Sequence, residues 1–128
     1  MPSVSVTCPI NPSEDERKVE LAVRNIFPDI VLIRTADGLE GESESLEHFM
    51  MQVRKQKILD TARKVMLRGI SGKRTRMHLN KQVAFVGKIT FAEETTVLGT
   101  MSVIIEDDDI EALIDKVAPT TAEGEEIF

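Results

Sequence analysis

The sequence predicts an α+β fold, a two-layer sandwich in which an antiparallel or mixed sheet carries helices on one face. Three observations lead there. Short stretches of period-2 alternation, rich in Val, Ile and Thr, are interspersed with stretches whose apolar residues recur at helical spacing. The strand-like stretches are joined mostly by short loops. Apolar residues also recur in every segment up to Val117 of the 128 residues, enough for one core. One domain is expected over residues 1–119, followed by an acidic tail over 120–128.

Val4 and Val6 alternate with Ser3, Ser5 and Thr7 as in a half-buried strand, which Pro9 and Pro12 end. Ser13 and Glu16 have capping-box spacing, and Val19, Ala22, Val23 and Ile26 give the next helix its stripe until Pro28. Its first turn holds Glu14, Asp15 and Glu16, where the helix dipole favours negative charge. Ile30 to Thr35 reads as a buried strand, and Asp37-Gly38 turns it back through Leu39 to Glu42. Ser45 is the expected cap of a second helix, striped by Leu46, Phe49, Met50 and Val53. A third stripe, Ile58, Ala62, Val65 and Met66, lies on a different face, which predicts a break near Arg54–Gln56. Gly69 and Gly72 close the third helix.

Thr75, Met77 and Leu79 then alternate with Arg74, Arg76 and His78, a strand with one basic face. Asn80 to Val86 is open between a helical turn and irregular chain. Gly87 to Phe91 and Val97 to Ile105 read as strands joined by a polar loop, Ala92–Thr96. A last helix carries Ile110, Leu113, Ile114 and Val117 before Pro119. The expected order is β-α-β-β-α-α-β-β-β-α.

Composition removes several classes of function. The lone Cys8 excludes a disulfide scaffold and a zinc site of several sulfurs. No apolar run approaches the roughly 18 residues of a membrane span, so an intracellular, cytoplasmic protein with no membrane contact is expected. His48 and His78 have no partners at metal-ligand spacing, and Cys8 has no evident base beside it. Gly72-Lys73 and Gly87-Lys88 lack the rest of a phosphate loop. Asp107, Asp108 and Asp109 precede a helix, where capping explains them better than a cation site. No catalytic residue, metal ligand or cofactor is therefore expected. A rudimentary carboxylate site at the three aspartates is the weakest of the alternatives.

Charge is the positive signal. From Met51 to Lys88 there are 11 basic residues and a single acid, Asp60, while the segments on either side are acidic and the whole chain carries −6. On a helix from Gln56 to Arg68, Lys57, Lys64 and Arg68 fall within ~20° of one line, with Thr61 between them. Arg54 precedes them. Lys73, Arg74 and Arg76 follow on the loop and strand, then Lys81 and Lys88. One helix face and one strand face joined by a glycine loop would make a continuous cationic surface for a phosphate backbone. The same residues would alternatively neutralise the acidic flanks, within the chain or on a partner.

The run Leu79-Asn80-Lys81-Gln82-Val83-Ala84-Phe85-Val86-Gly87-Lys88-Ile89-Thr90-Phe91 resembles the signature of a small archaeal family of uncharacterised function. Leu98-Gly99, Pro119 to Gly124, Gln56 to Arg63, and the passage from Cys8-Pro9 to Glu14 are similar to its other landmarks. The resemblance implies a fold like that of the large-subunit ribosomal protein that holds five-S ribosomal RNA. It also implies RNA binding, linked by inference to RNA degradation, and supplies no catalytic residue. Within the signature, Asn80 and Gln82 would either hydrogen-bond bases and ribose or tie down irregular backbone. The expected function is non-catalytic binding of structured RNA through Arg54, Lys57, Lys64, Arg68, Lys73, Arg74, Arg76, Lys81 and Lys88. The alternative is an interaction module or homodimer whose basic surface docks on acidic segments.

Overall fold

The computed structural model describes residues 2–92, 100–119, 121–122 and 125–126. Strand β1 (Ser3–Pro9) is followed by α1 (Glu16–Ile26), β2 (Val31–Arg34), β3 (Gly38–Ser43), α2 (Glu47–Lys55) and α3 (Leu59–Arg68). Then come β4 (Ile70–Ser71), β5 (Arg74–Asn80), α4 (Lys81–Phe85), β6 (Phe91–Ala92), β7 (Thr100–Glu106) and α5 (Ile110–Val117). Strands β8 (Thr121–Ala122) and β9 (Glu125–Glu126) form a separate hairpin within the expected tail. The main sheet runs β2-β3-β1-β7-β5, with β4 and β6 both on the far edge of β5. All its pairings are antiparallel, so the mixed alternative is not taken.

Period-2 alternation sends Val4, Val6 and Cys8 of β1, Met77 and Leu79 of β5, and Met101, Val103 and Ile105 of β7 to one face. The helical stripes meet that face in a single core: Val19, Ala22, Val23 and Ile26 of α1, and Ile110, Leu113, Ile114 and Val117 of α5, are all buried as their spacing predicts. The opposite face carries Glu40 and Glu42 on β3, Thr7 on β1, and Arg74 and Arg76 on β5, all exposed.

Several local expectations are corrected. Strand β2 is not buried: it is the edge strand of the sheet, and its Val31 and Ile33 are 73% and 61% exposed. Helix α1 is capped by Asp15, whose carboxylate accepts the Arg17 N–H at 2.9 Å, and not by Ser13. Glu14 instead accepts the backbone and side-chain N–H groups of Asn11 and stays outside the helix. Leu46 occupies the cap position of α2 without a side-chain cap bond of its own, and the Ser45 hydroxyl accepts the Glu47 N–H at 3.4 Å from one residue further out.

The expected break falls after α2, and its mechanism places Lys57 off the α3 face. Lys57 adopts φ 58°, the left-handed region. Its N–H donates to the Arg54 carbonyl, and the Ile58 N–H donates to the Val53 carbonyl at 3.1 Å. This pair of bonds is a Schellman closure with a lysine where glycine is usual. Asn80 to Val86 resolves as a short helix, with the Asn80 side chain accepting the Val83 N–H at 3.0 Å.

Gly87 to Phe91 does not form the expected strand beyond Phe91. The Gln56 amide brackets Ile89, accepting its N–H at 2.7 Å and donating to its carbonyl at 2.8 Å, which takes the bonds a ladder would use. Strand β7 covers Thr100 to Glu106, and the expected strand start at Val97 and the loop over 93–96 lie outside the described residues. The short strand β4, helix α4 and the hairpin strands β8 and β9 are additions to the expected order.

Candidate nucleic-acid interface

Helix α3 and strand β5 are locked together at one point. The Gly69 carbonyl accepts the Arg76 N–H at 3.2 Å, in the gap between β4 and β6 on the edge of β5. A Cβ at Gly69 would lie 2.1 Å from the Arg76 carbonyl oxygen, so only glycine permits this approach. Below it, the buried Thr75 hydroxyl donates to the Met66 carbonyl, one of the last-turn acceptors of α3 that no helical N–H reaches. The helix is thereby fixed against the basic strand.

A cavity of about 910 Å³ opens at this junction. Lys64 and Arg68 enter it from α3, and Arg74, Arg76 and His78 from β5. Thr61, Ser71, Val65, Met77, Phe91, Ala92 and Ile104 complete most of the lining, and no carboxylate is among the described residues of it. Lys64, Arg68 and Arg76 make no ion pair among the described residues. Arg74 pairs with Glu106 at 2.7 Å, and both side chains are more than half exposed. Such a pair contributes about 0–1 kcal/mol and exchanges readily for a phosphate. His78 hydrogen-bonds Ser102 through Nδ1 at 3.1 Å. Burial, and then the Arg76 charge beside it, lower its pKa from the ordinary 6.5, so its ring is neutral at neutral pH.

The other expected cations lie elsewhere. Lys73 is exposed on the loop before β5 and reaches Asp108 at 3.7 Å. Lys57 is exposed in the turn between α2 and α3, and Lys88 is exposed after α4; neither lines the cavity. Arg54 donates to the Lys116 carbonyl near the end of α5. Lys81 departs furthest from expectation. Its side chain is 4% exposed, and its ammonium donates to Glu14 at 2.7 Å and to the Pro9 carbonyl at 2.8 Å. It is a structural cation, out of reach of any phosphate. Asn80 caps α4 and ties down backbone, while Gln82 is exposed on α4 outside the cavity.

Sequence reasoning set His78 aside for want of a metal partner, although the alternation that groups it with Arg74 and Arg76 already placed it here. Phe91 and Ile104 carried no such signal, because their place beside β5 comes from pairing across the sheet.

Asp109 accepts the Ala112 N–H at 3.1 Å and Asp107 accepts the Asp109 N–H at 2.9 Å, so these carboxylates cap α5. Among the described residues no group of three or more His, Cys, Asp or Glu is placed to hold a metal ion. Burial pushes the Cys8 thiol up to about 11, against the opposing Lys81 charge, which leaves it protonated and unreactive. Among the described residues no helix is long and apolar enough to cross a membrane.

A family model described as RNA binding matches residues 3–106. A UPF0201 protein of Metallosphaera sedula is 39% identical over 140 residues, covering 100% of this chain and 95% of its own. A UPF0200/UPF0201 protein of Archaeoglobus fulgidus is 40% identical over 94% of this chain, which spans 38% of that relative's length. The crystal structure of a UPF0201 protein from Methanococcus jannaschii is similar at a TM-score of 0.89 and 34% identity, covering 100% of both chains. A DUF54 protein from Methanothermobacter thermautotrophicus, at 17% identity and a TM-score of 0.63 over 91% of this chain and 96% of its own, shares the fold alone. The chain belongs to the family whose model is described as RNA binding, together with these archaeal UPF0201 relatives.

Proposed function

We propose that this protein binds structured RNA without catalysing its turnover, holding phosphates on Lys64, Arg68, Arg74 and Arg76 at the junction of α3 and β5. The observation that carries the reading is that these four cations line one cavity with no carboxylate among its described lining residues. Like charges around one cavity repel one another, and an anion among them relieves that repulsion. Arg supplies planar forks for bidentate contact, and Lys a flexible point charge. Lys73 lies on the adjoining loop and extends the same zone. Lys81, being buried, is left out of it. A cytoplasmic place in RNA processing or degradation, and kinship with the ribosomal protein that holds five-S RNA, belong to this same proposal.

The sheet's open face gives the footprint a direction. Glu40 and Glu42 on β3 lie three strand spacings from β5, about 14 Å away. That exceeds the ~8 Å Debye length at physiological salt, so the acidic stripe leaves the cationic edge attractive while repelling phosphates from the rest of the face. Replacing Lys64, Arg68, Arg74 and Arg76 together by Gln is expected to abolish RNA binding at low salt with the circular dichroism spectrum unchanged. Undiminished affinity in that variant rejects the proposal.

The same two-sided face supports a second reading, a homodimer in which β5 cations of one copy meet Glu40 and Glu42 of another. Sedimentation across a salt series separates the two. A dimer that salt dissociates, with no RNA retained, favours the second reading.

A further inference from the structure

We infer that the cavity between α3 and β5 receives one unpaired nucleotide of the bound RNA, with its base against Phe91 at the open edge of β5 and its flanking phosphates on Arg68, Arg74 and Arg76. This rests on the RNA-binding reading above and specifies what enters the site.

A row of cations on a convex helix would serve a duplex backbone. This site is instead a half-open groove at the edge of β5, and its volume of about 910 Å³ leaves room for a small ligand. Its chemistry is divided in the way a nucleotide requires. Lys64, Arg68, Arg74 and Arg76 supply charge, whereas Val65 and Phe91 supply apolar wall that a phosphate cannot use. Val65 and Phe91 are only partly buried, so apolar surface remains for a ligand to cover.

Aromatic placement points the same way. Phe27 and Phe49 stack on each other inside the core, with centroids 6.0 Å apart. Phe85 lies beneath the Lys18 ammonium on α4. Among the described residues Phe91 is the one aromatic ring in the cationic cavity, and stacking on such a ring is the usual way an unpaired base is held. His78 adds a ring whose Nδ1 is occupied by Ser102, leaving Nε2 for the edge of a base. Its neutral state avoids adding a fifth charge to the cluster. An unpaired nucleotide also enters at least cost, since it has no pairing to surrender.

The experiment uses the full chain and three RNA hairpins that differ at one position: fully paired, with one unpaired adenosine, and with an abasic site in place of that adenosine. Binding is followed by fluorescence anisotropy at fixed low salt. The unpaired adenosine is expected to raise affinity about tenfold over the paired hairpin, and the abasic site to remove that gain. Phe91→Leu, which keeps most of the apolar volume against the core, is expected to bring the ratio of bulged to paired affinity towards one. Equal binding of all three hairpins by the natural sequence overturns the inference and leaves the RNA reading standing. A preference that survives both the abasic site and Phe91→Leu overturns it as well. Failure to bind any hairpin removes the RNA-binding reading itself, and this inference falls with it.

Discussion

Lys81 and Glu14 show how little a residue's type says about its task. Both belong to charged stretches that look solvated in the sequence, yet the Lys81 ammonium is enclosed and joins the segment before α1 to the start of α4. Burial pushes the Glu14 carboxyl up, but the hydrogen bond from Lys81, those from Asn11 and the Lys81 charge outweigh it and hold the carboxyl below its ordinary 4.5. A depressed folded-state pKa contributes stability that is present above the unfolded value and is lost as pH falls through the folded one. Glu14→Gln is therefore expected to unfold at lower urea than the natural sequence near pH 7, and the gap is expected to close near pH 3. A gap that stays constant across that range would show that the carboxylate charge is not what stabilises the junction. Composition could not have found this pair, because the partners are 67 residues apart.

At the scale of elements, periodicity was a reliable guide wherever one face is buried. The stripes of α1 and α5 are buried residue for residue, and the alternation of β1 and β5 sorted core from solvent correctly. What periodicity missed was governed by single side chains acting at a distance. Gln56 claims the backbone of Ile89, Asn80 starts α4, and Asp15 displaces Ser13 as a cap. The closure of α2 is the clearest instance, since its left-handed residue is Lys57 and no glycine marks it. A non-glycine residue in that region is strained by about 1 kcal/mol or somewhat more. Lys57→Gly is expected to raise stability by about 1 kcal/mol in urea unfolding. The same variant tests the interface, because Lys57 lies outside the cavity and RNA affinity should fall no more than the loss of one peripheral charge requires. A tenfold loss would place Lys57 at the centre of binding.

Over the whole molecule, cations and carboxylates are only partly separated. The acidic flanks contribute Glu40 and Glu42 to one side of the open sheet face, and Glu106 and Asp108 as exposed partners for Arg74 and Lys73. The cationic segment was legible in the sequence as a count. Its division was not: the same run supplied a buried structural lysine, a helix-closing lysine, peripheral cations and four that converge on one cavity. That partition depends on the antiparallel pairing of β5 with β7 and on the contact of Gly69 with Arg76, neither of which a local pattern encodes. The concave, partly apolar site at their junction was likewise invisible until the sheet was assembled.

The most direct measurement is the dependence of RNA affinity on salt, compared between the natural sequence and the variant with Gln at 64, 68, 74 and 76. Each phosphate neutralised adds about 0.7–0.9 to the slope of log affinity against log salt. Four converging cations predict a slope shallower by about 3 in the variant, together with its weaker binding. Identical slopes would contradict the account, because the phosphates would then be held somewhere other than the junction of α3 and β5.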